Sequence, residues 1–127
     1  MSSILIDTNI LIDHLRGMPS SSAFLESMLT DGIDIYCSVV TRIELFAGMR
    51  HYEEDMVKSL LRMFQEVAVD ISIADSAGRY MNLFMKSHSL SPADAILAAT
   101  AKRFNATLFT LNTKHFPMAD IEVRQPY

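Results

Sequence analysis

The chain has 127 residues, half of them hydrophobic and a fifth charged, which is enough for one domain with a core and too little for two. Fifteen Asp and Glu against eleven Lys and Arg give a formal charge of -4. This excludes the basic surface of a protein that holds nucleic acid by charge alone, though not an enzyme acting on nucleic acid. The single Cys37 rules out an internal disulfide, and nine Met with only four Gly and four Pro fit a reduced, well-ordered domain. The longest nearly apolar run, Ala95 to Ala101, is far short of the roughly 18 residues of a membrane span, and Met1 to Ile6 lacks the pattern of a signal peptide. A soluble, cytoplasmic protein with no membrane partner is expected.

No period repeats and no segment is low in complexity, so residues 1–127 read as a single domain. Ile4-Leu5-Ile6 predicts a buried strand, Thr8 to Arg16 a helix closed by Gly17, and Ser22 to Leu29 a second helix closed near Gly32. Ile33 to Cys37 predicts the next strand. Apolar residues at helical spacing then predict helices over Val40 to Met49 and Glu53 to Phe64. Val67 to Val69 predicts a strand, Ile73 to Lys86 and Pro92 to Phe104 two helices, and Thr107 to Thr110 and Ile121 to Val123 the last two strands. Strands separated by helices point to an α/β fold with a mainly parallel sheet.

In such a sheet, ligands bind outside the carboxyl ends of the strands, where the following helices begin. Asp7 follows the first strand, Glu44 lies in Thr41-Arg42-Ile43-Glu44, and Asp94 lies in Ser91-Pro92-Ala93-Asp94, so three acids distant in sequence can converge there. Converging carboxylates suit a hard cation such as Mg²⁺ or Mn²⁺; zinc would favour clustered Cys and His, and here His14, His51, His88 and His115 are scattered. Taken singly, each acid is explained by helix capping alone. Asp7 can be an N-cap, and Thr41-x-x-Glu44 and Ser91-x-x-Asp94 both match the capping box. Two settings favour a site: Asp7-Thr8-Asn9 concentrates polar groups at the end of a buried strand, and the small residues after Asp94 let its helix lie close to the sheet.

These segments, with Ser38-Val39-Val40-Thr41-Arg42-Ile43-Glu44-Leu45 in the middle and Leu108-Phe109-Thr110-Leu111-Asn112-Thr113-Lys114-His115-Phe116 near the end, resemble the PIN-domain family. The likeness is in particular to the VapC toxins of bacterial VapBC toxin-antitoxin systems and covers essentially the whole chain. It implies a three-layer α/β/α sandwich around a parallel sheet. The implied activity is that of an endoribonuclease dependent on Mg²⁺ or Mn²⁺, usually a homodimer, inhibited by a cognate VapB-like antitoxin. Carried over by position, Asp7, Glu44 and Asp94 fall on the acidic catalytic and metal-binding positions, and Thr8, Asn9 and Thr110 on supporting polar ones. Asn112 stands where many relatives carry a fourth acid, so one resident cation is expected, with any second arriving with RNA.

Arg42 and Lys114 flank this motif set and are candidates to contact RNA phosphates. His14 and His115 read as packing or surface residues, and the scattered tyrosines form no stacking platform. Leu45, Phe46, Met49, Met56, Leu60 and Met63 lie on consecutive helices and exceed what one buried stripe needs. Core packing accounts for them, and so does an adaptable groove receiving an antitoxin helix. The alternatives to a toxin are a PIN nuclease that processes RNA and a noncatalytic interaction module whose acids only cap helices.

Overall fold

Four segments, each too short to be a core helix, hydrogen-bond side by side and set the frame for everything else. In the computed structural model, which describes residues 2–127, these strands are β1 (Ser3–Ile6), β2 (Asp34–Ser38), β3 (Gln65–Val67) and β4 (Thr107–Phe109), joined at the edge by the two-residue β5 (Val123–Arg124). All pairings are parallel and the spatial order is β3-β2-β1-β4-β5. The helices between them are α1 (Thr8–Leu15), α2 (Pro19–Thr30), α3 (Val39–Gly48), α4 (Glu54–Leu61), α5 (Ile71–His88) and α6 (Pro92–Phe104).

Alternating side chains of the strands feed two separate cores. Ile4, Ile6, Ile35, Cys37 and Phe109 pack with Ile10, Leu11 and Leu25 of α1 and α2 and with Leu45, Val57, Leu60 and Leu61 of α3 and α4. On the opposite face, Leu5 and Leu108 meet Ile73, Ala77 and Tyr80 of α5 and Ala95, Leu97, Ala98, Ala99 and Ala101 of α6. Helices on both faces of a parallel sheet make the three-layer sandwich that the family resemblance implies. Ala95, Ala98, Ala99 and Ala101 of α6 are essentially inaccessible, and their small side chains let this helix lie close to the sheet.

The boundaries differ from the sequence expectation where turns and edges decide. Helix α2 begins at Pro19, because Pro supplies a helical φ at the first position; α4 ends at Leu61, and the buried Phe64 turns the chain into β3 two residues earlier than Val67 to Val69 implied. Cys37 is inert: burial pushes its thiol up to about 12. Among the described residues no helix is long and apolar enough to cross a membrane.

Candidate active site

Strand register alone brings the first two partners together. Ile6 pairs with Phe109, and the Asp7 amide donates to the Phe109 carbonyl at 3.0 Å, so Asp7 and Thr110, one residue beyond each strand, stand side by side. Thr110 Oγ1 donates to Asp7 Oδ2 at 2.8 Å, and the other oxygen, Oδ1, accepts the Thr8 amide at 2.7 Å. Asp7 is therefore both the N-cap of α1 and a carboxylate fixed in orientation at the sheet edge. Asn9 Nδ2 approaches both Asp7 Oδ2 and Thr110 Oγ1 at 3.5 Å, and its Oδ1 accepts the Leu111 amide, clipping the end of β1 to the end of β4. Asn112 closes the turn by donating its backbone N–H to Thr110 Oγ1 at 3.0 Å.

Glu44 does not cap. The N-cap of α3 is Ser38, whose hydroxyl accepts the Val40 amide, which moves the helix start three residues ahead of the Thr41 capping box expected from sequence. Thr41 is fully buried inside the helix, and Glu44 projects from its middle. Thr8 Oγ1 donates to Glu44 Oε1 at 2.6 Å. Thr41 Oγ1 lies 3.0 Å from the same Thr8 oxygen, and with the Thr8 proton committed to the carboxylate, the Thr41 hydroxyl is the donor of that pair. Glu44 is thus tethered to the residue that follows Asp7.

Asp94 sits in the first turn of α6. Ser91 Oγ accepts its amide at 3.1 Å, which is half of a capping box. The carboxylate instead lines the cavity at the sheet edge, where His115 Nδ1 lies 3.6 Å from its Oδ2.

Asp7, Glu44 and Asp94 share one open cavity of about 710 Å³ with Thr8, Asn9, Asn112 and His115. Asp7 is 9% exposed. Its carboxyl is pushed above the usual carboxylate range, first by burial and further by the negative charges of Asp94 and Glu44, against the lowering effect of the Thr110 and Thr8 hydrogen bonds. Three carboxylates that feel one another, with oxygen donors held by neighbouring hydroxyls, fit a hard divalent cation. Among the described residues no three His, Cys, Asp or Glu side chains already close on a single point.

Other residues singled out in the sequence lie elsewhere. Arg42 is outside the cavity: its guanidinium grips Glu66 of β3 with two bonds, at 2.9 and 2.5 Å, and lies over the Phe46 ring. A bidentate pair of this kind competes with phosphate. Lys114 is exposed on the short 3-10 turn Thr113–His115, next to the cavity without lining it. Leu45 and Leu60 are core residues, 3% and 6% exposed, and Phe46 is half-buried under Arg42. Met49 and Met56 line a second cavity of about 440 Å³ between α1, α3 and α4, and Met56 and Met63 line an adjoining one of about 270 Å³. The two share Leu15 and Met56, and the first joins the acid cavity through Ile12, Glu44 and Gly48. Arg16 and Arg50 border this groove. From sequence, Arg16 and Arg50 rank below Arg42 and Lys114 as phosphate contacts and His115 reads as a packing or surface residue; the signal that could have placed His115 was its position three residues beyond Asn112.

The PIN domain family model matches residues 4–121. Over 124 residues the chain is 36% identical to ribonuclease VapC19 of Mycobacterium tuberculosis, covering 97% of this chain and 98% of that protein. It is 38% identical over 125 residues to ribonuclease VapC10 of the same organism, covering 98% and 92%. A solved toxin-antitoxin complex from Klebsiella pneumoniae contains a chain that superposes with a TM-score of 0.81 at 29% identity, over 98% of both chains. With the sheet order, the acids at its carboxyl edge and these likenesses in agreement, the chain belongs to the PIN domain family and is of the VapC type within it.

Proposed function

We propose that this chain is a divalent-metal-dependent endoribonuclease and the toxin of a type II toxin-antitoxin pair, a cytoplasmic homodimer held inactive by a VapB-like antitoxin. The observation that carries the reading is the meeting of Asp7, Glu44 and Asp94, from three separate segments, in one cavity at the carboxyl edge of the sheet. Helix capping does not account for it, because Glu44 lies in mid-helix and the Asp94 carboxylate faces the cavity. VapC19 and VapC10 are ribonucleases by name, and the Klebsiella chain comes from a complex of toxin with antitoxin.

Asp7 and Asp94 would hold the cation, and Asn112, a neutral amide at the cavity rim, fits one resident ion better than two. When bound, such an ion neutralises phosphate charge and acidifies a water. Glu44 Oε1 is occupied by Thr8, which leaves Oε2 to orient the attacking water and accept its proton. Thr8 therefore acts through Glu44 as a positioning residue. Thr8→Val is expected to lower RNA cleavage about 10- to 100-fold, by kcat more than by KM, because the carboxylate loses its tether while the substrate contacts remain. Arg16 and Arg50, on the groove that opens into the acid cavity, are better placed than Arg42 to meet the phosphates of a bound strand.

The deciding experiment follows cleavage of a labelled total-RNA substrate with Mg²⁺, with Mn²⁺ and with excess chelator. Cleavage that disappears with chelator and returns with either ion supports the reading; cleavage indifferent to chelator removes the metal from it. The same groove, floored by Leu15 and Ile12 and walled by exposed Met56 and Met63, fits an amphipathic antitoxin helix. Met63→Asp places a charge on a half-exposed position and is expected to weaken capture of a co-expressed VapB-like antitoxin by about tenfold or more, with an unchanged melting temperature. Unfolding without altered capture would assign Met63 to the core.

A further inference from the structure

His115 has no hydrogen-bond partner for its ring among the described residues, although it lines the acid cavity. Its Nδ1 stands 3.6 Å from Asp94 Oδ2, too far for a hydrogen bond. Two ligands of one divalent ion, with bonds of about 2.1 Å, lie about 3.0 Å apart when adjacent, so a small inward movement of either side chain brings this pair to a common ion. The turn that carries the ring is anchored: the His115 amide donates to the Asn112 carbonyl at 3.0 Å, and the next residue, Phe116, is buried in the core against α5 and α6. The side chain is 55% exposed, so with Nδ1 turned to an ion the Nε2 proton can be satisfied by water.

We propose that His115 is a nitrogen ligand of the cation held by Asp7 and Asp94, giving the site a mixed oxygen and nitrogen donor set that favours Mn²⁺ over Mg²⁺. The proposal rests on the metal-dependent reading above. Mg²⁺ is hard, prefers oxygen and gives up water reluctantly, whereas imidazole is an ordinary ligand of Mn²⁺ and later transition metals. With Asn112 where a fourth acid would stand, an imidazole adds a donor without adding charge.

The test titrates the chelator-stripped full chain with MnCl₂ or MgCl₂ in a calorimeter and records electron spin echoes of the Mn²⁺ complex. The parent is expected to bind Mn²⁺ about tenfold or more tighter than Mg²⁺ and to show ¹⁴N modulation from a directly bound imidazole. His115→Ala is expected to lose the modulation and about tenfold or more in Mn²⁺ affinity, with Mg²⁺ affinity changed less than about threefold. His115→Asp, which returns an oxygen donor, should gain Mg²⁺ affinity without restoring the ¹⁴N signal. Mn²⁺ binding without ¹⁴N coupling, or an equal loss of both cations in His115→Ala, would overturn the proposal while leaving the metal site in place. If the parent binds neither cation, or Asp94→Asn binds both as the parent does, the metal-dependent reading fails and the proposal with it.

Discussion

Asp7→Asn and Asp94→Asn are each expected to reduce RNA cleavage about a hundredfold to ten-thousandfold, and Asp7→Asn to raise the melting temperature of the metal-free protein by a few degrees at neutral pH. The opposite signs have one cause. Asp7 is buried and faces Asp94 and Glu44, so its ionised form is disfavoured in the folded chain and its pKa lies above the unfolded value. For a carboxyl raised in this way, the favourable contribution is complete below the unfolded pKa and is lost as the pH rises through the folded one. Once Asp7 is ionised in the folded chain the penalty is present, and an amide removes it while its oxygen still accepts the Thr8 amide. Melting of parent and Asp7→Asn in chelator across the acid range checks this: the difference should grow from low pH toward neutrality and shrink when a divalent cation is added. A lower melting temperature for Asp7→Asn at neutral pH would mean that Asp7 is first of all a cap.

Leu5→Ala is expected to cost about 3 to 5 kcal/mol, measured by denaturant titration, and to reduce cleavage through the population of folded protein. Leu5 is inaccessible, sits in the central strand β1 two residues before Asp7, and belongs to the core that presses α6 against the sheet. Ala95, Ala98, Ala99 and Ala101 of α6 are too short to reach into the space, so much of the cavity stays open. Total stabilities of domains are about 5 to 15 kcal/mol, which makes this one position a large share. Leu5→Met, which nearly conserves volume, should cost less than about 1.5 kcal/mol and retain cleavage. A loss of activity in Leu5→Ala at temperatures where it remains folded would show that the strand end holding Asp7 has shifted as well.

The helical tether between Thr8 and Glu44 illustrates where one-dimensional reading stopped. Thr41-x-x-Glu44 has the form of a capping box, yet the helix begins at Val39 because β2 runs to Ser38, whose hydroxyl caps it. Strand length, fixed by pairing with β1 and β3, decided which Ser or Thr became the cap. Arg42 and Arg50 could not be ranked by distance from Glu44 along the chain, since α3 turns one toward Glu66 and the other lies past its end, on the groove. From sequence His115 reads as a packing or surface residue, as a lone His beside a Phe usually is; Phe116 does pack, and that burial holds the turn that carries His115 at the cavity. Leu45 and Met49 share a helix face in sequence, but the approach of α1 and α4 buries the first and leaves the second on a groove wall.

By itself the sequence determined the alternation of strands and helices, the parallel sheet and the candidacy of Asp7, Glu44 and Asp94. Hydrophobic period and the placement of acids at strand ends are local properties written into neighbouring residues. The formal charge of -4 also changed meaning on the same grounds: without those three acids the rest of the chain carries 12 acidic and 11 basic residues, a nearly neutral body around an acidic pocket. Only the tertiary structure decided which acids are caps and which face a cavity, which arginine is already paired, and that a histidine 21 residues beyond Asp94 stands beside it. These are contacts between segments far apart in the chain, set by sheet register and core packing, and no local pattern encodes them.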